Sequence, residues 1–331
     1  MKRLTRTPRL IIFNILILLS PCIIAQTYVF SKNREAQLHL QDFKQLAMGD
    51  IVGPVGIKTE KSLDLADAVT SKLFNSGVFE VIDRNNLSQL LASQKRGDLA
   101  VIDEKTVSYL SKELNSALLV SGRLQSDKIE QKLVTSRNGT CPGNVSYQWV
   151  ATGEVAVQIK VLNVKTGKTV FTGPVTVPIN QRSTETCQET KKFDEAEMSR
   201  KAFDRLADEV VKLFIPWNEQ INIVFKGPSV ILFKNPFKNL NQVVSFFEIG
   251  DFKKGLEILK AYAEDASLKK NLKPMAHYNY ALGFFCNSDY ENAKKELKAA
   301  MALDPYDADF TTWYTYIEKE QELAKSAKKA F

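Results

Sequence analysis

Residues 77–95 read GVFEVIDRNNLSQLLASQK. Gly77 is a good stop for a preceding helix, because glycine takes the left-handed conformation at no steric cost. Val78–Ile82 is a short strand rich in β-formers. Asn85 and Asn86 offer side-chain oxygens to cap a following helix, in which Leu87, Leu90 and Leu91 share one face. Asp83 and Arg84 stand at the joint. An acid beside a base can serve catalysis, but a lone pair at a strand end reads first as a structural ion pair.

Working outward, the same alternation of elements continues. Gln37–Phe43 alternates polar and apolar residues like a half-buried strand. A loop with Gly49, Gly53, Pro54 and Gly56 follows. Leu63, Leu65, Ala66, Val69, Leu73 and Phe74 then recur at helical spacing. On the far side, a helix is expected near Glu104–Leu114 and a buried strand at Ala117–Val120. Val155–Leu162 and Thr169–Thr172, joined by the turn Lys165–Lys168, predict a hairpin. A long helix follows over about Glu195–Phe214, with Ala202, Leu206, Val210 and Leu213 on one face, and then a strand at Ile221–Phe225. Helices interleaved with strands and ending in a hairpin predict an α/β (α+β) sandwich domain with a mixed sheet, over residues 26–230.

Residues 235–331 read differently. Phe246 precedes Gly250, Asp251 and Phe252, then Gly255, Leu259 and Tyr262. Asn279, Ala281 and Phe284 precede Asp289 and Tyr290, then Ala293, Leu297, Ala300 and Pro305. The second segment resembles the tetratricopeptide repeat, with Ala281 and Ala293 where paired helices approach. Two repeats with Asp309–Lys328 as a capping helix make an all-α domain.

The N-terminus has the pattern of a targeting segment. Lys2, Arg3, Arg6 and Arg9 precede the apolar run Leu10–Ile24. As a helix that run spans roughly 22 Å, short of a bilayer core of about 30 Å. Residues 1–25 therefore read as a signal peptide cleaved after Ala25, which places the mature chain in an exported compartment. Cys22 is a candidate lipidation site, ranked below plain cleavage because Pro21 precedes it. Of the formal net charge of +7, four units belong to the leader, leaving +3. That is too little to imply nucleic-acid binding, and no nucleic-acid motif is present. The four cysteines lack a CxxC pair, and the two histidines, His39 and His277, lie far apart. Neither a metal site nor a cofactor is expected, and no catalytic motif is present. In an oxidising compartment Cys141 and Cys187, both in polar, turn-rich segments, are expected to pair, with Cys286 left free in an apolar helix. The glycosylation patterns at Asn138 and Asn144 matter only in a eukaryotic secretory route.

Three segments resemble the CsgG-type curli secretion family and related envelope domains: the penicillin-binding-protein activators and the N-terminal domain of the Tol-associated propeller protein. These are residues 77–95, LNSALLVSGRL at 114–124 and VAVQIKVLNVKTGKTVFTG at 155–173. Leu38–Phe43 is matched loosely to the family's opening strand. The resemblance covers roughly residues 35–215. It implies an envelope protein, and in the secretion channel two inserted hairpins build a β-barrel from many subunits. Here the insertions fall at about Gln125–Thr152 and Thr176–Phe193. Lys132–Ser136 and Val145–Val150 look too short and polar for barrel strands, which need about 9–11 residues with an apolar face.

The function expected is therefore that of a non-enzymatic adaptor or assembly factor in the bacterial periplasm. Outer-membrane association would follow if Cys22 is acylated. Envelope proteins or peptides would bind through the repeat domain, and a homo-oligomer is a further expectation. The alternative is a subunit of an outer-membrane secretion channel. The expected binding face carries Asn279, His277 and Tyr280 in the second repeat, and Asn239 and Gln242 in the first. Asn279 stands out because an amide can hold an extended backbone with a donor and an acceptor together.

Overall fold

The computed structural model describes residues 25–92, 104–114, 117–228 and 236–329. The leader up to residue 24, with Cys22, lies outside the described residues, as do the side chains of Leu90 and Leu91. In chain order the elements are β1 (Gln26–Arg34), β2 (Gln45–Val52), α1 (Glu60–Ser76), β3 (Glu80–Ile82), α2 (Arg84–Ala92), α3 (Glu104–Glu113), β4 (Ala117–Arg137), β5 (Val145–Asn163), β6 (Thr169–Arg182), α4 (Glu195–Val211) and β7 (Trp217–Phe225). The helices α5 (Leu240–Glu248), α6 (Phe252–Glu264), α7 (Lys273–Cys286), α8 (Tyr290–Leu303) and α9 (Ala308–Lys329) follow. Two compact units result. One is Asn33–Asn218; the other joins the described residues up to Lys32 to those from Glu219 onward. Most of β1 falls in the same unit as α5–α9.

The first unit is a mixed α/β fold. Its sheet has the order β3-β2-β4-β5-β6. β2 is parallel to both β3 and β4, while β4, β5 and β6 are antiparallel. α1 and α4 cover one face, where Leu65, Val69, Leu206 and Val210 pack on Met48, Val120, Val157 and Ile159. On the other face Leu87, Leu110 and Leu114 pack on Ala47, Leu119 and Leu162. α1 ends where its sequence suggests, at Gly77. Thr59 and Ser62 form a capping box, and Gly77 closes it at φ 66°.

Three expectations need correction. Gln37–Phe43 is not a strand; the amides of Gln37 and Leu38 donate to the carbonyls of Lys212 and Leu213. The opening strand is β2, where a loop was expected. A strand flanked on both sides and covered on both faces is apolar nearly throughout, so it lacks the alternation that suggested 37–43. The cap of α2 is Asp83, not Asn85 or Asn86: its carboxylate accepts from the Asn86 amide at 2.8 Å. Finally, the insertion segments are not short. β4 and β5 pair from Leu118 opposite Asn163 out to Arg137 opposite Val145, with one shift of register between Leu124 and Ser126. Antiparallel pairing satisfies the backbone of this ribbon whatever its side chains, so polar content does not shorten it.

In the second unit β1 and β7 form a two-stranded sheet. Tyr28, Ile221, Ile223 and Phe225 share a core with α5–α9, and each helix packs on the next. The α5–α6 and α7–α8 turns are built alike. Gly250 and Ser288 take left-handed φ values of 78° and 59°. The next residue, Asp251 or Asp289, then caps the following helix by accepting from the amide three positions on. Ala281 and Ala293 are fully buried.

Candidate functional site

Asn279 does hold an extended backbone by donor and acceptor together, but the backbone is the chain's own. Its Oδ1 accepts from the Lys226 amide at 2.8 Å, and its Nδ2 donates to the Lys226 carbonyl at 2.7 Å. The residue is fully buried, so it is closed to a partner. The Lys226 ammonium in turn meets Asp307 at 2.9 Å and Asp309 at 2.6 Å. It also lies over the rings of Tyr278 and Phe310. Burial works against this ammonium, but its hydrogen bonds to the two aspartates outweigh that and raise its pKa. Burial also pushes the Tyr278 hydroxyl up.

The other residues of the expected face are largely committed within the fold. His277 Nδ1 meets Glu296 at 2.7 Å. Tyr280 stacks on Phe284 with ring centroids 4.4 Å apart. The backbone N–H of Asn239 donates to the Tyr262 hydroxyl just before α5. Gln242, on α5, is exposed. Asp83 and Arg84 are structural but do not pair with each other: Asp83 caps α2, and Arg84 pairs with Asp67 at 3.2 Å. Sequence reasoning missed Asp50, a buried carboxylate on β2 that pairs with Lys58 at 2.8 Å. Its place in a presumed loop hid it.

The outer part of β4, β5 and β6 forms an arm. Cys141 and Cys187 are bonded across its end, joining the β4–β5 turn to the segment after β6. Cys286 is free and buried, and burial pushes its thiol pKa well up. Next to the bridge, Glu185 accepts hydrogen bonds from the hydroxyls of Ser146 and Ser136, which lower its carboxyl pKa. Thr186 pairs with Tyr147 as an isolated bridge. Farther in, Trp149 Nε1 donates to the Thr190 carbonyl at 2.8 Å, and Gln131 to that of Phe193 at 3.2 Å. The segment after β6 is thus strapped along the arm. Successive residues of β4 face opposite ways. Lys128, Glu130 and Lys132 occupy one side of the arm, and Asp127 and Gln131 the other. Among the described residues no cluster of His, Cys, Asp and Glu could hold a metal ion. No helix among them is long and apolar enough to cross a membrane.

Residues 38–211 match the family described as curli production assembly/transport component CsgG. Among solved structures, lipoprotein GNA1162 from Neisseria meningitidis is similar at 7% identity and a TM-score of 0.31, covering 50% of this chain and 97% of that one. The PelC dodecamer from Paraburkholderia phytofirmans is similar at 12% identity and a TM-score of 0.29, covering 56% and 97%. No curated protein matches the chain. The family match takes in more than half of the chain, the whole mixed sheet and both helices on its core face. The chain therefore belongs to the CsgG family.

Proposed function

We propose that the protein is a non-enzymatic adaptor or assembly factor of the bacterial cell envelope, exported by residues 1–25, which binds proteins or peptides through its helical unit. The reading treats α5–α6 and α7–α8 as two tetratricopeptide-type pairs with α9 as the cap. The observation that carries it is the repeated turn, a left-handed residue followed by a capping aspartate, at Gly250–Asp251 and again at Ser288–Asp289. Stacked helix pairs of this kind present extended binding surfaces. With Asn279 sealed inside, the outward residues of α5, Gln242 first among them, are the ones available to a partner.

The arm argues against a pore. A barrel strand exposes an apolar face to lipid. β4 places charged residues on both sides of the arm, and a disulfide holds the end of the arm to the segment after β6.

A photo-crosslinking residue at Gln242 in the full chain tests the reading. It should give discrete adducts with envelope proteins, and the same residue at the exposed Glu130 on the arm should not. No adduct from 242, or the same adducts from both positions, would overturn it.

A further inference from the structure

An open groove of about 1050 Å³ lies on the first unit, between α1 and α4 and beside β4. Lys72 bridges the two helices through Asp204 at 3.0 Å and Asp208 at 2.6 Å. Most of the groove's helical lining residues come from the first halves of both helices. Ala68, Ile129, Ala196 and Phe203 supply its apolar surface. Ala68 on α1 and Ala196 on α4 are small, and so leave room for side chains inserted from outside. A groove walled by two helices is the kind of surface that receives the apolar face of a third.

The rim decides the chemistry of the occupant. Glu60, Asp64, Asp127, Glu195 and Asp204 line it, against Lys61, Arg200 and Lys201. Two of those cations are already neutralised. Lys61 pairs with Asp127 at 2.9 Å, and Lys201 with Glu197 at 2.6 Å. Five carboxylates against three cations make the rim net acidic, on a chain whose formal charge is +7, or +3 without residues 1–25.

We propose that this groove is a docking site for a cationic amphipathic helix of a partner protein. Its apolar residues would lie on Ala68, Ile129 and Phe203, and its lysines or arginines would face Glu60, Asp64 and Glu195. The site is separate from the helical face invoked above, and each stands or falls alone.

The test uses the full chain and a fluorescein-labelled synthetic peptide of leucine and lysine at i, i+3, i+4 spacing. Fluorescence anisotropy should show saturable binding that weakens with added salt. A peptide of the same composition without the amphipathic spacing, and one with glutamate for lysine, should each bind at least about tenfold more weakly. The triple variant Glu60→Gln/Asp64→Asn/Glu195→Gln should weaken the lysine peptide by a similar factor, and so should Ala68→Trp, which fills the groove. These variants are checked for native circular dichroism. Absence of binding, equal binding of the reordered peptide, or full affinity in both variants would overturn the proposal.

Discussion

Asn279 shows how far the chemistry of one residue can be read and where the reading stops. An amide's ability to clamp an extended backbone follows from its donor and acceptor; which backbone it clamps does not. Lys226 lies 53 positions away, and only the fold brings it to the amide. Truncation leaves a buried amide and carbonyl unpaired, so Asn279→Ala should cost about 2 kcal/mol or more. The check is urea unfolding: the midpoint should fall with an unchanged slope. The Lys226 cluster gives a pH signature. Its folded pKa lies above the ordinary 10.5. Its contribution is therefore fully present below about pH 10.5 and is lost as pH rises through the folded value. The raised Tyr278 hydroxyl acts in the same direction. Melting temperature should hold steady up to about pH 10 and then fall, more steeply in the parent than in Lys226→Met, which has no such charge to lose.

At the scale of elements, close approach and edges are the telling features. A Cβ on Gly255 would lie 2.1 Å from the Phe247 ring, so α5 and α6 meet where only glycine fits. Gly255→Ala should cost about 1–3 kcal/mol by overpacking, measured by the same unfolding curve. β6 lies at an edge of the sheet and carries Pro174 and Pro178, opposite Gln158 and Glu154. Prolines four apart remove two donors from the same edge and block the addition of another strand. Pro174→Thr/Pro178→Thr should therefore raise concentration-dependent association in analytical ultracentrifugation, with the fold unchanged. Most helices were legible because a glycine stop and 3.6-residue spacing are local signals, as with Gly77 and the Leu65, Val69 and Leu73 face of α1. β2 was not, because a central strand is apolar on both faces and carries Gly49 at a register shift. β1 gave no signal of its own, and its place beside β7 depends on a partner far along the chain.

For the molecule as a whole, the pairing of Cys141 with Cys187 was legible from export and loop chemistry, whereas the long arm it closes was not. The bridge joins residues 46 positions apart. Chain entropy puts its worth at about 4 kcal/mol, so Cys141→Ser/Cys187→Ser should lower the unfolding midpoint of the first unit and leave the second unit's transition in place. We propose that this CsgG-family chain acts by binding and does not form a pore. The most direct measurement is single-channel recording of the purified, oxidised full chain reconstituted into planar lipid bilayers. The expected recording is a baseline indistinguishable from protein-free bilayers. Stable, unitary conductance steps that scale with added protein would contradict it.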